Sequence, residues 1–344
     1  MSRWKLGWRL LPLLAVIMLV LTGCAQDPYL SALDPKGPVA AAQLSLIMLS
    51  LYIMIGVFAV VMIIYVYVLV KFRKRKGQTG IPEQVEGNHK LEIIWTVIPL
   101  ILLAVLAVPT VSLTFDLAEK HNSEEALQVK VVAHQFWWEF EYPDLEISAG
   151  QDLYIPTGQK VQFQVTSKDV MHAFWVPALG GKIDTNPGMI NNMWLHADKP
   201  GTYKGKCAEL CGPSHALMDF KVVALEPAEF DKWVGNMKAS ATKPAPATAS
   251  AQAGQDIFNQ SCIGCHAVDA TKGLMVPDIA PNLAGFADRT VLAGFVEHND
   301  ENLAQWIKNP QSLKPGNLMP GFEGKLNDQQ ISDLVEYMNT LTIE

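Results

Sequence analysis

The sequence predicts a multidomain membrane protein whose parts differ in fold class: a transmembrane α-helical hairpin, then an all-β sandwich, then an all-α domain. Three observations carry this reading. Two uncharged apolar runs, 39–70 and 93–115, are each long enough to cross a bilayer. Between residues 126 and 225, short alternating strands such as Val129-Lys130-Val131-Val132 and Val161-Gln162-Phe163-Gln164-Val165 are separated by Gly, Pro, Asp and Asn turns. Beyond an Ala/Pro/Thr stretch the pattern turns helical and contains Cys-Ile-Gly-Cys-His at 262–266.

Composition sets the outer limits. A chain of 344 residues has room for two or three domains, and 49% hydrophobic content fits a protein partly in lipid. Net charge is −7, and residues 253–344 carry 5 basic and 12 acidic side chains, which argues against nucleic acid as a partner. The five cysteines fall into one single, Cys24, and two close pairs, Cys207/Cys211 and Cys262/Cys265. That is cofactor or redox spacing more than a disulfide framework.

In chain order, residues 1–23 have a basic start, an apolar run and small residues before Cys24, the layout of a secretion signal. Leu21-Thr22-Gly23-Cys24 resembles a bacterial lipobox. The resemblance implies cleavage before Cys24 and a lipid on its thiol; an uncleaved first transmembrane helix is the competing reading. Residues 24–38 are then an extracytoplasmic segment. The 32 uncharged residues from Val39 to Val70 form the first spanning helix, and the basic cluster 71–76 that follows puts residue 71 on the cytoplasmic side. A cytoplasmic loop, 71–92, leads to the second span, 93–115, where Pro99 and Pro109 are tolerable if a partner helix satisfies the freed backbone groups. Everything after about residue 116 is extracytoplasmic.

The β-sandwich, 120–238, contains Cys-Ala-Glu-Leu-Cys-Gly-Pro-Ser-His-Ala-Leu-Met at 207–218. Cys211, His215 and Met218 have the C-x3-H-x2-M spacing of a blue-copper loop, which needs a further histidine from an earlier strand, with His172 the candidate. A mononuclear site has no use for Cys207. Two thiolates four residues apart can bridge two copper ions, with one histidine capping each. A Cys207–Cys211 disulfide fits the oxidising side of a membrane but leaves the two histidines and Met218 as coincidences. A Cys2His2 zinc site gains nothing from Met218.

The motifs S-x2-V-x-H-x-F-W-x-P at 167–177 and C-x-E-x-C-x3-H-x2-M at 207–218 resemble the dinuclear copper A domain of cytochrome c oxidase subunit II, a cupredoxin-like fold. The resemblance implies one copper on His172, both cysteines and Met218, and a second on His215, both cysteines and the carbonyl of Glu209. It also implies that the Glu209 carboxylate holds a magnesium ion shared with subunit I. In the aromatic stretch 134–142 the family's electron-input tryptophan falls at Phe136, followed by Trp137 and Trp138.

Residues 239–252, rich in Ala, Thr, Ser and Pro, cannot bury a core and read as a linker, partly extended by prolines and spanning roughly 20 Å. Such a tether would present the last domain, 253–344, at about millimolar effective concentration and make its docking intramolecular. There Cys262 and Cys265 suit covalent attachment of a c-type haem, with His266 as one axial ligand. A thioredoxin-like CxxC would need a βαβ context that this segment lacks. The sixth ligand is a methionine, Met275, Met319 or Met338, and the Pro-flanked loop around Met319 favours that one; His298 reads as exposed loop. This domain resembles a class I cytochrome c, including Pro281-Asn282-Leu283-Ala284-Gly285 and an amphipathic helix over 328–341.

As a whole the chain resembles subunit II of a caa-type cytochrome c oxidase. That implies a two-pass protein of the bacterial plasma membrane, partnered by the haem-copper subunit I, other oxidase subunits and membrane lipid. Its donor would be a quinol–cytochrome c reductase or a small cytochrome c. No residue here is expected to do oxygen chemistry. A nitric oxide reductase with the same copper domain, or a free-standing electron carrier, are the rival readings; loss of the copper ligands would have pointed to a quinol oxidase.

Overall fold

The computed structural model describes residues 27–77, 79–81, 84, 86–242, 245–271 and 279–343. The predicted signal segment, Cys24 and Met275 lie outside the described residues. The chain divides into a helical unit, 41–119, and a larger unit formed by the rest.

The helical unit consists mainly of α1, Pro38–Lys71, and α2, His89–Leu117. At ~1.5 Å per residue, either helix exceeds the ~30 Å hydrocarbon core of a bilayer. Both are apolar around their whole circumference, as lipid-facing helices are. α2 starts four residues before the apolar run because Asn88 caps it: its side-chain oxygen accepts from the backbone N–H of Lys90 and Leu91. The apolar run thus marks what sits in lipid, and the cap marks where the helix begins.

In the larger unit two five-stranded sheets face each other. One runs β3-β2-β1-β5-β8, with β1 Leu127–His134, β2 Trp137–Tyr142, β3 Ile147–Gly150, β5 Lys160–Ser167 and β8 Asn191–His196. The other runs β4-β10-β9-β6-β7, with β4 Asp152–Pro156, β6 His172–Trp175, β7 Ile183–Thr185, β9 Gly201–Cys207 and β10 Asp219–Leu225. Most pairs are antiparallel, but β1–β5 and β4–β10 are parallel. Alternating residues point inward and fill the interior with Trp138, Phe140, Phe163, Phe174 and Phe220, all buried; the rings of Phe174 and Phe220 stack at 4.9 Å. This packing fixes the end of β6 and β9 where His172 and Cys207 stand. After β10, helix α3, Pro227–Ala239, lays Trp233 on Tyr154 at 4.5 Å.

The predicted linker is shorter than its composition implies. Helix α4, Ala249–Ser261, begins inside it, capped by the Thr248 side chain accepting from the Ala251 N–H. Ser240 is buried, and its hydroxyl accepts from the Ala270 N–H at 2.9 Å. Alanine is a strong helix former, so an Ala-rich stretch with a threonine cap winds into a helix once Ala251 and Phe258 have a core to join.

That core is built by α4, α5 (Asp300–Lys308), α6 (Pro310–Leu313) and α7 (Asp328–Met338). α7 starts on a capping box between Asn327 and Gln330. α4 and α7 cross at Gly254, where a Cβ would lie 2.0 Å from the Asp333 carbonyl oxygen, so only glycine allows the approach. A hairpin of β11, Val291–Leu292, and β12, Val296–Glu297, interrupts the helical pattern.

The helical domain packs directly on the sandwich. The Ser148 N–H donates to the Ala270 carbonyl at 2.9 Å, the Ser214 hydroxyl to the Pro315 carbonyl at 2.6 Å, and Lys221 to the Thr290 hydroxyl. Gly294, in the β11–β12 turn, sits so close to Asp219 that a Cβ would lie 2.4 Å from its carbonyl oxygen. The flexible tether expected from composition is thus supplemented by a seated interface: backbone and side-chain contacts hold the domain on the sandwich.

Candidate metal centre and haem pocket

The two ends of the sulfur-rich loop come together because β9 delivers Cys207 and β10 carries the chain away after Met218. The Cys207 N–H donates to the Met218 carbonyl at 3.2 Å, closing the loop. Within it, the Cys207 and Cys211 sulfurs stand 3.9 Å apart. That is far beyond the ~2.05 Å of a disulfide. Cys207 Sγ is 3.9 Å from His172 Nδ1, and Cys211 Sγ is 3.7 Å from His215 Nδ1 and 3.9 Å from Met218 Sδ. The Glu209 carbonyl oxygen lies 3.3 Å from Cys207 Sγ. All six groups singled out in the sequence therefore converge, and His172, Cys207 and Cys211 form a buried trio able to hold a metal. The mutual spacing of soft donors fits copper shared between two thiolates.

The electrostatics favour one thiolate. The hydrogen bond from Cys211 draws the Cys207 thiol well below its usual range, while the same contact and burial push Cys211 up. His172 Nε2 lies 2.8 Å from Asp169 Oδ1, so Nε2–H donates to the carboxylate and Nδ1 is left facing the sulfurs. Burial works against the imidazolium of His172, but the bonds to Asp169 and Cys207 outweigh it and raise its pKa. Asp169 also accepts from the N–H groups of Val170 and Gln135. Neither Asp169 nor Gln135 was legible as part of the site. Gln135 donates from its amide to the Cys211 carbonyl at 2.6 Å, a contact across 76 positions that no local pattern announces.

Glu209 turns its carboxylate outward, 34% exposed and 3.7 Å from the Lys182 ammonium, which also pairs with Asp184. The three aromatic residues expected as one electron-input region separate. Trp138 is fully buried beneath the cluster, 6.2 Å from the His172 ring, its indole N–H donating to the Met218 carbonyl. Trp137 stacks on buried His134 at 4.1 Å. Phe136 is buried against Gly212 of the copper loop and Gly316 of the helical domain.

In the helical domain a cavity of about 260 Å³ is lined by Cys262, Cys265, His266, Met319 and, from the sandwich, Phe136 and Trp137. α4 ends at Ser261, and the turn that follows is closed by the N–H groups of Cys265 and His266 donating to the Cys262 carbonyl. His266 Nδ1 is 2.8 Å from the Pro281 carbonyl, so its N–H is engaged there and Nε2 is free for a metal; burial holds its pKa below the usual range. Met338 also reaches the wall, but within the packed core of α7. His298 does not line the cavity, and it is partly buried rather than exposed: its ring lies 4.8 Å from that of Phe286 at a tilt of 58°, and its Nδ1 contacts the Arg289 carbonyl. An apolar cavity with two thiols and an oriented imidazole fits a covalently bound haem.

Soft sulfur donors beside an apolar cavity that holds two thiols and an oriented imidazole, in a chain with two membrane-length apolar helices, define a membrane-anchored redox protein. Three family models divide the chain between them: the cytochrome c oxidase subunit II transmembrane domain matches residues 33–113, its periplasmic domain 145–225, and cytochrome c 251–342. Cytochrome c oxidase subunit 2 of Alkalihalophilus pseudofirmus is 49% identical over 348 residues, covering 100% of this chain and 99% of that protein. Its counterpart in Bacillus sp. strain PS3 is 51% identical, covering 100% of both. A quinol oxidase subunit 2 of Bacillus cereus is 37% identical over 70% of this chain and 83% of its own length. The chain belongs to the cytochrome c oxidase subunit II family, in the form that carries a fused cytochrome c domain, and is a component of an oxidoreductase complex.

Proposed function

We propose that this chain is the electron-input subunit of a caa-type cytochrome c oxidase. It accepts electrons at a covalently bound haem c and passes them through a dinuclear copper A centre to the oxygen-reducing, proton-pumping subunit I. One copper is assigned to His172, Cys207, Cys211 and Met218, and the other to His215, both cysteines and the Glu209 carbonyl. Haem is assigned to Cys262 and Cys265, with His266 and Met319 as axial ligands. The observation that carries the reading is the convergence of two thiols, two imidazole nitrogens and a thioether along contacts of 3.7 to 3.9 Å.

Copper and haem supply one-electron chemistry; the chain's own residues hold their environment. Asp169 orients His172, and the Trp138, Phe174 and Phe220 rings keep the copper loop on a rigid, dry support. The partly exposed Glu209 carboxylate is assigned to a magnesium ion shared with subunit I, as a hard oxygen ligand. The donor is a quinol–cytochrome c reductase or a small cytochrome c. The chain lies in the bacterial plasma membrane with both redox domains outside, anchored further by a lipid on Cys24.

The test is detergent purification from native membranes. Two coppers and one covalent haem per chain, with a large haem-copper subunit alongside, are expected. One copper, zinc in its place, or no accompanying subunit would overturn the assignment.

A further inference from the structure

The helical domain contains two buried cations to which the redox reading gives no role. Lys314 is 2% exposed and Arg289 8%, and both line the cavity that His266 and Met319 also line. Lys314 Nζ donates to the Ala293 carbonyl at 2.6 Å and lies 5.7 Å from the Phe295 ring centroid. Among the described residues it makes no ion pair. Asp219, the first carboxylate to influence it, is already engaged by Lys206 at 2.5 Å. An ammonium buried this way is costly unless an anion meets it. Burial pushes the Lys314 ammonium down to about 7 even though Asp219 and Cys211 lie near enough to oppose the shift, so no group among the described residues offsets the cost of burying it.

A c-type haem is an apolar macrocycle with two carboxylates on the edge opposite its vinyl groups, and thioether bonds would fix the vinyl edge at Cys262 and Cys265. Cys262 packs against the helical core, and Cys265 is exposed. The two cations lie on the side of the sandwich. The Pro315 carbonyl, next to Lys314, accepts from Ser214 of the copper loop, and Thr290, next to Arg289, takes Lys221. Gly294, next to Ala293, rests on Asp219.

We propose that Lys314 binds a carboxylate of the haem, turning the haem's carboxylate edge toward the copper domain and leaving its thioether edge, at Cys265, for the external donor. This rests on the haem assignment made above. It gives the relay separate input and output edges and makes Lys314 a cofactor-binding residue in the domain junction.

The test uses the full chain purified in detergent with haem attached, comparing Lys314→Met and Lys314→Arg with wild type. In spectroelectrochemical titration, Lys314→Met is expected to shift the oxidised-to-reduced haem ratio at fixed potential toward oxidised, on the order of tenfold. That is the scale of one charge at ~10 Å and an effective dielectric of ~20. Lys314→Arg keeps the charge and should stay within a factor of about two. In redox-difference infrared spectra with haem labelled at its carboxylates, Lys314→Arg should move the labelled band. An unmoved band, or an unchanged ratio in Lys314→Met, overturns the proposal. So does faster proteolysis between the domains with no change in ratio, which indicates a structural role. Should Lys314→Met not fold, the infrared band of Lys314→Arg decides alone. Wild-type haem that extracts into acid acetone would instead sink the haem assignment itself.

Discussion

Replacing Asp169 by alanine should weaken copper binding about 10- to 100-fold while the sandwich stays folded. His172 is fully buried, and its Nε2 lies 2.8 Å from Asp169 Oδ1; this bond is what points Nδ1 toward Cys207 Sγ, 3.9 Å away. A hydrogen bond to a charged group contributes ~1.5–3 kcal/mol, and ~1.4 kcal/mol is tenfold in an equilibrium constant. The alanine loses all of that, whereas Asp169→Asn keeps an oxygen to accept from Nε2–H and loses only the charge, so its deficit should stay below about tenfold. The Asp169 side chain is 31% exposed, so alanine leaves no sealed cavity. The assay equilibrates the detergent-purified chain against chelators of graded copper affinity and reads metal content and the copper–thiolate absorption. Wild-type retention of copper by the alanine variant would refute the reasoning, as would an asparagine variant as weak as alanine.

The same pair has a pH signature in metal-free protein. Burial opposes ionisation of Asp169, but the hydrogen bonds from His172 and the Gln135 and Val170 N–H groups outweigh it and depress its pKa, while that of His172 is raised. The carboxylate's contribution is present above ~3.9 and lost as pH falls through its folded value; the imidazole's is present below ~6.5 and lost as pH rises through its folded value. The stability difference between wild type and Asp169→Asn should thus peak between about pH 4 and 6.5, and a flat difference across denaturation curves would count against it. Gly254→Val should destabilise the haem domain by about 1–3 kcal/mol in thermal unfolding, since a Cβ there meets the Asp333 carbonyl at 2.0 Å; an unchanged transition would mean α4 can shift. Gly294→Ala meets Asp219 at 2.4 Å from a backbone φ of +92°, so it should unseat the haem domain and slow haem-to-copper transfer in flash experiments. A protease cut between residues 245 and 248 should leave the two domains co-eluting at micromolar concentration, because Ser148, Ser214 and Lys221 still engage the haem domain. Separation on cutting would restore the slack-tether view.

Much of this protein was legible locally. Uncharged runs, a basic cluster, C-x3-C-x3-H-x2-M and C-x2-C-H are short-range patterns, and each reports chemistry that a few neighbouring residues can carry. The apolar boundary at 93 missed the helix start at 89 only because a cap is a polar event outside the apolar run. What tertiary structure decided are the contacts between distant segments. Asp169 behind His172 lies within one loop yet has an ordinary turn-residue signature, and Gln135 reaches Cys211 only because the β1–β2 turn folds over the copper loop. Composition made residues 239–252 a linker, whereas packing against α7 turned part of that stretch into helix and seated the domain. Phe136 falls at the family's electron-input position and is buried between the copper loop and the helical domain, and Lys314 looked like any lysine and is buried in the cavity wall. Ligand identity is written in short spacings because a metal selects donor atoms, but burial depends on what the rest of the chain brings against a residue, and a linear pattern holds no record of that.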